Sequence, residues 1–290
     1  MNVLLIDIDS KIPNLALMKI SAYHKQRGDE VDFYMKDPDL IYVSCVFKKN
    51  REQALGLKQF YPNSKIIFGG SGINYNVLDP EIEFIKPDYN LYPSSYSQGY
   101  TTRGCIKNCP FCIVHNKEGK LTRHQHIKEF YDDRFNKVML MDNNILVDKE
   151  WFFEQSDFIL ENDLRIIEHG MDIHYVDKEV AERLSELKFD KTMHFAFDNM
   201  KDEKAVLKGI QLLKEAGINL KQKVQFYVLA GYNTTHKEDL YRCNLLKKEG
   251  TNAFVMPYHK DRFIRKLARW SNRKWLYWGC NFEEFVKGVI

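Results

Sequence analysis

Three cysteines fall within eight residues, in the segment Thr101-Thr102-Arg103-Gly104-Cys105-Ile106-Lys107-Asn108-Cys109-Pro110-Phe111-Cys112. Their spacing is C-x3-C-x2-C. Thiolates are soft ligands, and three on one short loop can converge on a single metal centre. A structural zinc site takes four ligands, usually as two separated pairs, and here the second pair is missing. His115 would complete C-x3-C-x2-C-x2-H, which keeps zinc open. On a four-iron cluster, three thiolates would leave one iron without a protein ligand and open to a small molecule. The remaining readings are unrelated buried cysteines and an α/β enzyme with one reactive cysteine. Under the last, two of the three thiols are redundant. Cys45, Cys243 and Cys280 are scattered, too few and too dispersed for a second cluster.

A loop of this kind needs a frame, and the flanking sequence supplies a β/α rhythm. Val3-Leu4-Leu5-Ile6-Asp7-Ile8 reads as a buried strand, followed by a helix carrying Leu15, Leu17, Met18 and Ile20 that ends near Gly28. Residues 30–34, 40–47 and 65–68 read as further strands, the last running into Gly69-Gly70-Ser71-Gly72. This glycine turn is not a full G-x-G-x-x-G and is expected to be a strand-ending turn. Strands separated by single helices point to parallel βαβ units. Residues 86–97, rich in Pro, Ser and Tyr, read as a connector. The rhythm then resumes, with strand candidates at 98–103, 137–142, 164–169, 192–197, 223–229 and 252–256. The expected fold class is α/β, organised as a small Rossmann-like βα domain (1–85), a partial (β/α)6 TIM-type barrel (98–258) and a basic, aromatic C-terminal extension (259–290). The cysteine loop follows the first strand of the barrel region, at the C-terminal rim where such folds place their chemistry.

With an aromatic, Phe111, before the last cysteine, this arrangement resembles the radical S-adenosylmethionine (SAM) superfamily. The Thr-Arg-Gly-Cys entry and the leading βα segment are similar to members with an N-terminal cobalamin-binding-type domain. The resemblance implies that Cys105, Cys109 and Cys112 ligate a [4Fe-4S] cluster, with SAM chelating the open iron. Reductive cleavage of SAM would then give a 5′-deoxyadenosyl radical that abstracts hydrogen from a substrate. It implies SAM contacts at Phe111 and at the strand ends. Met141-Asp142-Asn143 resembles the family's acidic Asp-Asp element but departs at its second acid, so Asp142 or Asn143 would receive the SAM ammonium. Asp172 would face the cofactor or substrate, and His174 is a possible substrate-site residue. Asp198, in Phe195-Ala196-Phe197-Asp198, would hydrogen-bond the ribose. Gly231 would allow close backbone approach, and Met256 would offer an apolar face to adenine. No Asp-x-His-x-x-Gly occurs, and His24 lies inside a helix pattern, so the domain is expected not to bind cobalamin.

Composition bounds the rest. The chain has 290 residues, 44% hydrophobic and 29% charged, in the range of folded globular proteins rather than disordered ones. Lys and Arg total 43 against 40 Asp and Glu, and a net charge of +3 does not advertise a nucleic-acid binder. The basic tail from Lys260 to Trp278 leaves nucleic acid open, but Phe263, Leu267 and Trp270 are spaced as one helix face, with the basic residues as its solvated side. No stretch approaches the roughly 18 apolar residues of a membrane span, and no secretory leader opens the chain. A cytoplasmic protein with reduced thiols is expected, its cluster fed by a flavodoxin- or ferredoxin-like reductant. The substrate is not specified by these residues. The alternative function is a non-catalytic iron–sulfur or zinc protein acting as a sensor or binding module.

Overall fold

Val3, Leu4 and Leu5 are apolar on both faces of the pleat, and they lie on an inner strand of the first sheet. In this computed structural model, which describes residues 1–288, β1 (Asn2–Asp7), β2 (Glu30–Asp32), β3 (Leu40–Ser44) and β4 (Lys65–Gly69) form a parallel sheet in the order β2-β1-β3-β4. Val3 and Leu5 pack on one face with Leu17 and Ile20 of α1 (Leu15–Gln26). Leu4, Ile41 and Val43 pack on the other with Ala54 of α2 (Arg51–Leu55). Burial on both faces explains why these strands read as continuous apolar runs. Helix α1 begins at Leu15 because the Asn14 side chain accepts from the Leu17 amide. The chain leaves β1 towards β2 and returns past β1 to β3. The order therefore reverses between β1 and β3, where open parallel sheets leave a crevice at the strands' carboxyl ends.

The glycine-rich turn after β4 is pinned to the end of β3, with the Gly72 amide donating to the Cys45 carbonyl at 2.9 Å. Next comes α3 (Pro80–Glu83). The Tyr-rich stretch after it is tied down. The Tyr89 hydroxyl donates to the Phe130 carbonyl at 2.6 Å, and that of Tyr92 donates to Asp7 at 2.6 Å. Strand β5 (Ser97–Gly99) pairs in parallel with β8 (Lys137–Leu140). Between them lie β6 (Thr102–Arg103), α4 (Val114–Glu118), β7 (Thr122–Arg123) and α5 (Ile127–Phe130).

The chain divides into two compact units, Met1–Met141 and Asp142–Ile290. In the second, α6 (Lys149–Glu161) leads to β9 (Arg165–Glu168), and α7 (Lys178–Glu186) leads to β10 (Lys188–Phe189), parallel to β9. Strand β11 (Met193–Ala196), α8 (Glu203–Glu215), α9 (Leu220–Lys223), β12 (Val224–Ala230), α10 (His236–Lys248) and β13 (Asn252–Pro257) follow. The three strands form a parallel sheet in the order β11-β12-β13. A parallel bridge between Met171 and Phe195 links the segment after β9 to β11. The strands of this unit thus form a parallel pair and a three-stranded sheet rather than a closed ring.

The tail forms α11 (Arg262–Ser271), α12 (Lys274–Gly279) and α13 (Phe282–Lys287). On α11 the buried face is Ile264, Leu267 and Trp270, while Phe263 is only half-buried. Arg262, Arg265 and Arg269 are exposed. The Trp270 indole donates to the Cys280 carbonyl and the Tyr277 hydroxyl to that of Cys243. The structure is thus α/β with parallel sheets and thirteen helices among the described residues, none long and apolar enough to cross a membrane.

Candidate metal centre

The cysteine loop, residues 104–121, is closed at its base by two residue pairs. Strands β6 and β7 run antiparallel, Thr102 against Arg123 and Arg103 against Thr122. The His124 amide extends the clasp by donating to the Thr101 carbonyl at 2.8 Å. Immediately inside it, Gly104 takes a left-handed conformation with φ of +79°. A Cβ there would fall on the Lys120 carbonyl, so the entry to the loop requires glycine on both counts. The Gly104 amide donates to Glu118 Oε2 at 3.1 Å, and the Cys105 amide donates to the Gly119 carbonyl at 3.2 Å. The two limbs of the loop are therefore joined just before the first thiol. Around Pro110 and Phe111 the chain turns back, with the Cys112 amide donating to the Cys109 carbonyl at 2.9 Å.

Glu118 is the brace of this arrangement. Its side chain is only 4% exposed, and besides the Gly104 amide it faces Arg103 Nε at 3.7 Å and Lys117 Nζ at 3.8 Å. A buried carboxylate persists only with such donors. Nothing in the spacing of the cysteines reveals Glu118. It is one charged residue on a five-residue helix.

None of the six cysteines is in a disulfide. Cys105, Cys109 and Cys112 are partly exposed, while Cys45, Cys243 and Cys280 are each buried apart from the motif. Burial pushes the Cys243 thiol up to about 12. Among the described residues, no group of three or more His, Cys, Asp or Glu side chains stands close enough to hold a metal ion. The loop therefore carries its three thiols without gathering them at one point. As a donor set they fit an iron–sulfur cluster in chemistry: three reduced, soft ligands, accessible, on a loop whose ends are fixed.

The remaining sequence-derived candidates lie in the second unit or at its first residue. Asp142 is buried and Asn143 half-buried, in the turn after β8. The neighbouring Asn144 side chain accepts from the Asp172 amide at 3.2 Å. Asp172 and His174 are brought together: Asp172 Oδ1 contacts His174 Nδ1 at 2.7 Å and accepts from the His174 amide. The other ring nitrogen of His174 faces Asp202 at 3.4 Å, so two carboxylates orient this imidazole. Asp198, Gly231 and Met256 lie at the carboxyl edge of the β11-β12-β13 sheet, at the ends of successive strands. Asp198 Oδ1 accepts from the Leu229 amide at 3.2 Å, splicing β11 to β12. Gly231 has φ of +81°, and a Cβ there would meet Ile264 Cδ1 at 2.6 Å. Its amide donates to Asp239 at 3.1 Å. The glycine is explained by packing against α11. Met256 is 37% exposed.

In the first unit a buried ionic network lies near the hairpin. Lys19 of α1 donates from Nζ to the Glu83 carbonyl, and contacts the Glu83 carboxylate at 3.4 Å and Gln125 Oε1 at 3.2 Å. His124 Nε2 stands 3.0 Å from Glu83 Oε1. Burial alone would raise the Glu83 carboxyl, but the His124 contact and the charges of Lys19 and Arg103 hold it below its usual range. Burial likewise lowers Lys19 and Lys117, against the pull of nearby glutamates. His24 is also committed internally, Nδ1 to Asp29 at 2.7 Å and Nε2 to the Tyr42 hydroxyl at 3.2 Å.

No protein-family model matches the chain, and no curated protein matches it.

Proposed function

We propose that the chain is a radical SAM enzyme with one [4Fe-4S] cluster, built as a Rossmann-like βα unit followed by a partial (β/α)6 barrel. The observation that carries this reading is the C-x3-C-x2-C loop, entered through an obligatory glycine and clasped at its base, in a chain of parallel β/α units. A cluster held there would, with SAM and an electron from a flavodoxin- or ferredoxin-like reductant, supply reductive cleavage to a 5′-deoxyadenosyl radical. Cys105, Cys109 and Cys112 would hold it as thiolates. Gly104 and Glu118 would keep the limbs of the loop joined at its entry. Asp142, Asn143, Asp172, Asp198, Gly231 and Met256 are assigned to SAM on the same reading, with Phe111 beside the last thiol and His174 towards the substrate. Isolation of the other three thiols in separate buried positions supports a single cluster. Engagement of both His24 nitrogens, together with the missing Asp-x-His-x-x-Gly, supports a domain that does not take cobalamin. A reducing cytoplasm is the compartment this chemistry needs.

Anaerobic reconstitution tests the reading. About four irons per chain, a chromophore bleached by dithionite, and 5′-deoxyadenosine formed from SAM are expected, all lost in Cys109→Ala. Colourless protein with one tightly held zinc would instead favour a structural site completed by His115, which is exposed three residues beyond Cys112. Iron near eight per chain would contradict a single cluster.

A further inference from the structure

A cavity of about 710 Å³ lies within the first unit, at the carboxyl ends of β1, β3 and β4. This is the crevice that the reversal of strand order creates. Its size suits a small organic ligand. Part of its wall is apolar and exposed: Ile12, Val46, Phe47 and Ile67 are each 38–42% exposed. Large apolar side chains left open together, lining a concavity, mark a binding surface rather than a core. The wall towards the cysteine hairpin is charged, with Lys19, Glu83, Arg103 and Lys117. These groups feel one another electrostatically, since Arg103 acts on Lys19, Glu83 and Lys117. Four cations line the cavity, Lys11, Lys19, Arg103 and Lys117, against Asp79 and Glu83 on its wall and Glu118 behind Arg103 and Lys117. The group therefore carries one net positive charge, next to an apolar surface.

We propose that this cavity binds an amphiphilic monocarboxylate, its head at Arg103 and Lys117 and its hydrocarbon body on Ile12, Val46, Phe47 and Ile67. A single negative charge balances the wall, whereas a phosphate dianion overshoots it in a setting already half-desolvated. Arg103 lies two residues before Cys105, and Lys117 five after Cys112. Resting on the function proposed above, the ligand is the substrate, presented to the hairpin by the two cations of its own limbs.

Calorimetric titration of the full-length chain, without SAM, tests the site. Decanoate is expected to bind saturably, with decan-1-ol and decyl phosphate each at least about tenfold weaker. Lys117→Met and Phe47→Asp are each expected to weaken decanoate about tenfold with an unchanged circular dichroism spectrum. Phe47 is exposed, so its variant keeps the fold even if Lys117→Met does not. No saturable binding, equal binding of the alcohol, tighter binding of the phosphate, or unaltered affinity in a folded Phe47→Asp chain would overturn the proposal. Iron content and SAM cleavage measured on the same preparations separate the two ideas. A chain that cleaves SAM but ignores decanoate refutes this site alone. A zinc-only chain that binds decanoate keeps the site and removes its role as a substrate pocket.

Discussion

At Gly104 the backbone turns with φ of +79°, and its amide is held by a buried carboxylate fourteen residues on. Gly104→Ala forces a side chain into a left-handed conformation at a cost of about 1–3 kcal/mol, before the collision with the Lys120 carbonyl is counted. The variant is expected to melt earlier and to load less iron than the native chain while keeping all three thiols. Thermal denaturation and iron assay check this, and full loading would show that the entry geometry is dispensable. Glu118→Ala and Glu118→Gln separate charge from hydrogen bonding. If the carboxylate acts as acceptor for the Gly104 amide, glutamine preserves loading and alanine does not. The thiols and the adjacent glycine were legible as a string, because spacing along the chain is itself the constraint. Glu118 was not, because its partners Gly104 and Arg103 lie a whole loop away.

Elements are more legible in the sequence than their corners. Strands β1, β3, β8, β12 and β13 are apolar runs buried on parallel sheets, and their positions follow from that. Strands β6 and β7 are two residues each and rest on pairing across the loop, which leaves no periodicity to detect. On α11 the expected apolar face exists, but Ile264 occupies the place that spacing offered to Phe263. The Trp270 ring is fully buried, and Trp270→Ala is expected to cost about 3–5 kcal/mol in urea denaturation. The network joining α1 to α3 has its own signature. Glu83 is held below its ordinary 4.5 in the folded state, so its contribution is present above that value and is lost as pH falls below it through the lower folded value. Stability followed from pH 7 to pH 3.5 should therefore fall more steeply for the native chain than for Glu83→Gln. Equal slopes would remove Glu83 from the acid response.

For the molecule as a whole, the parallel α/β class follows from alternating strands and helices. The crevice in the first unit does not, because Lys19, Arg103 and Lys117 meet there from segments with no common motif. The net charge of +3 conceals a basic tail, in which Trp270 and Tyr277 face inward, unavailable for stacking on bases, and Trp275 is exposed. A labelled single-stranded oligonucleotide is expected to show no saturable anisotropy change at physiological salt. Saturation that weakens steeply with added salt would assign the exposed arginines of α11 to nucleic acid instead.

The clasp at the base of the cysteine loop has a consequence for how the protein matures. Its two residue pairs, the Gly104 amide and the Glu118 carboxylate close the loop with bonds of the polypeptide alone. On the function proposed above, folding would precede metal acquisition, and loading would be a late event on a finished scaffold. A cell short of iron would accumulate a folded and waiting reserve of the chain, not an aggregated one.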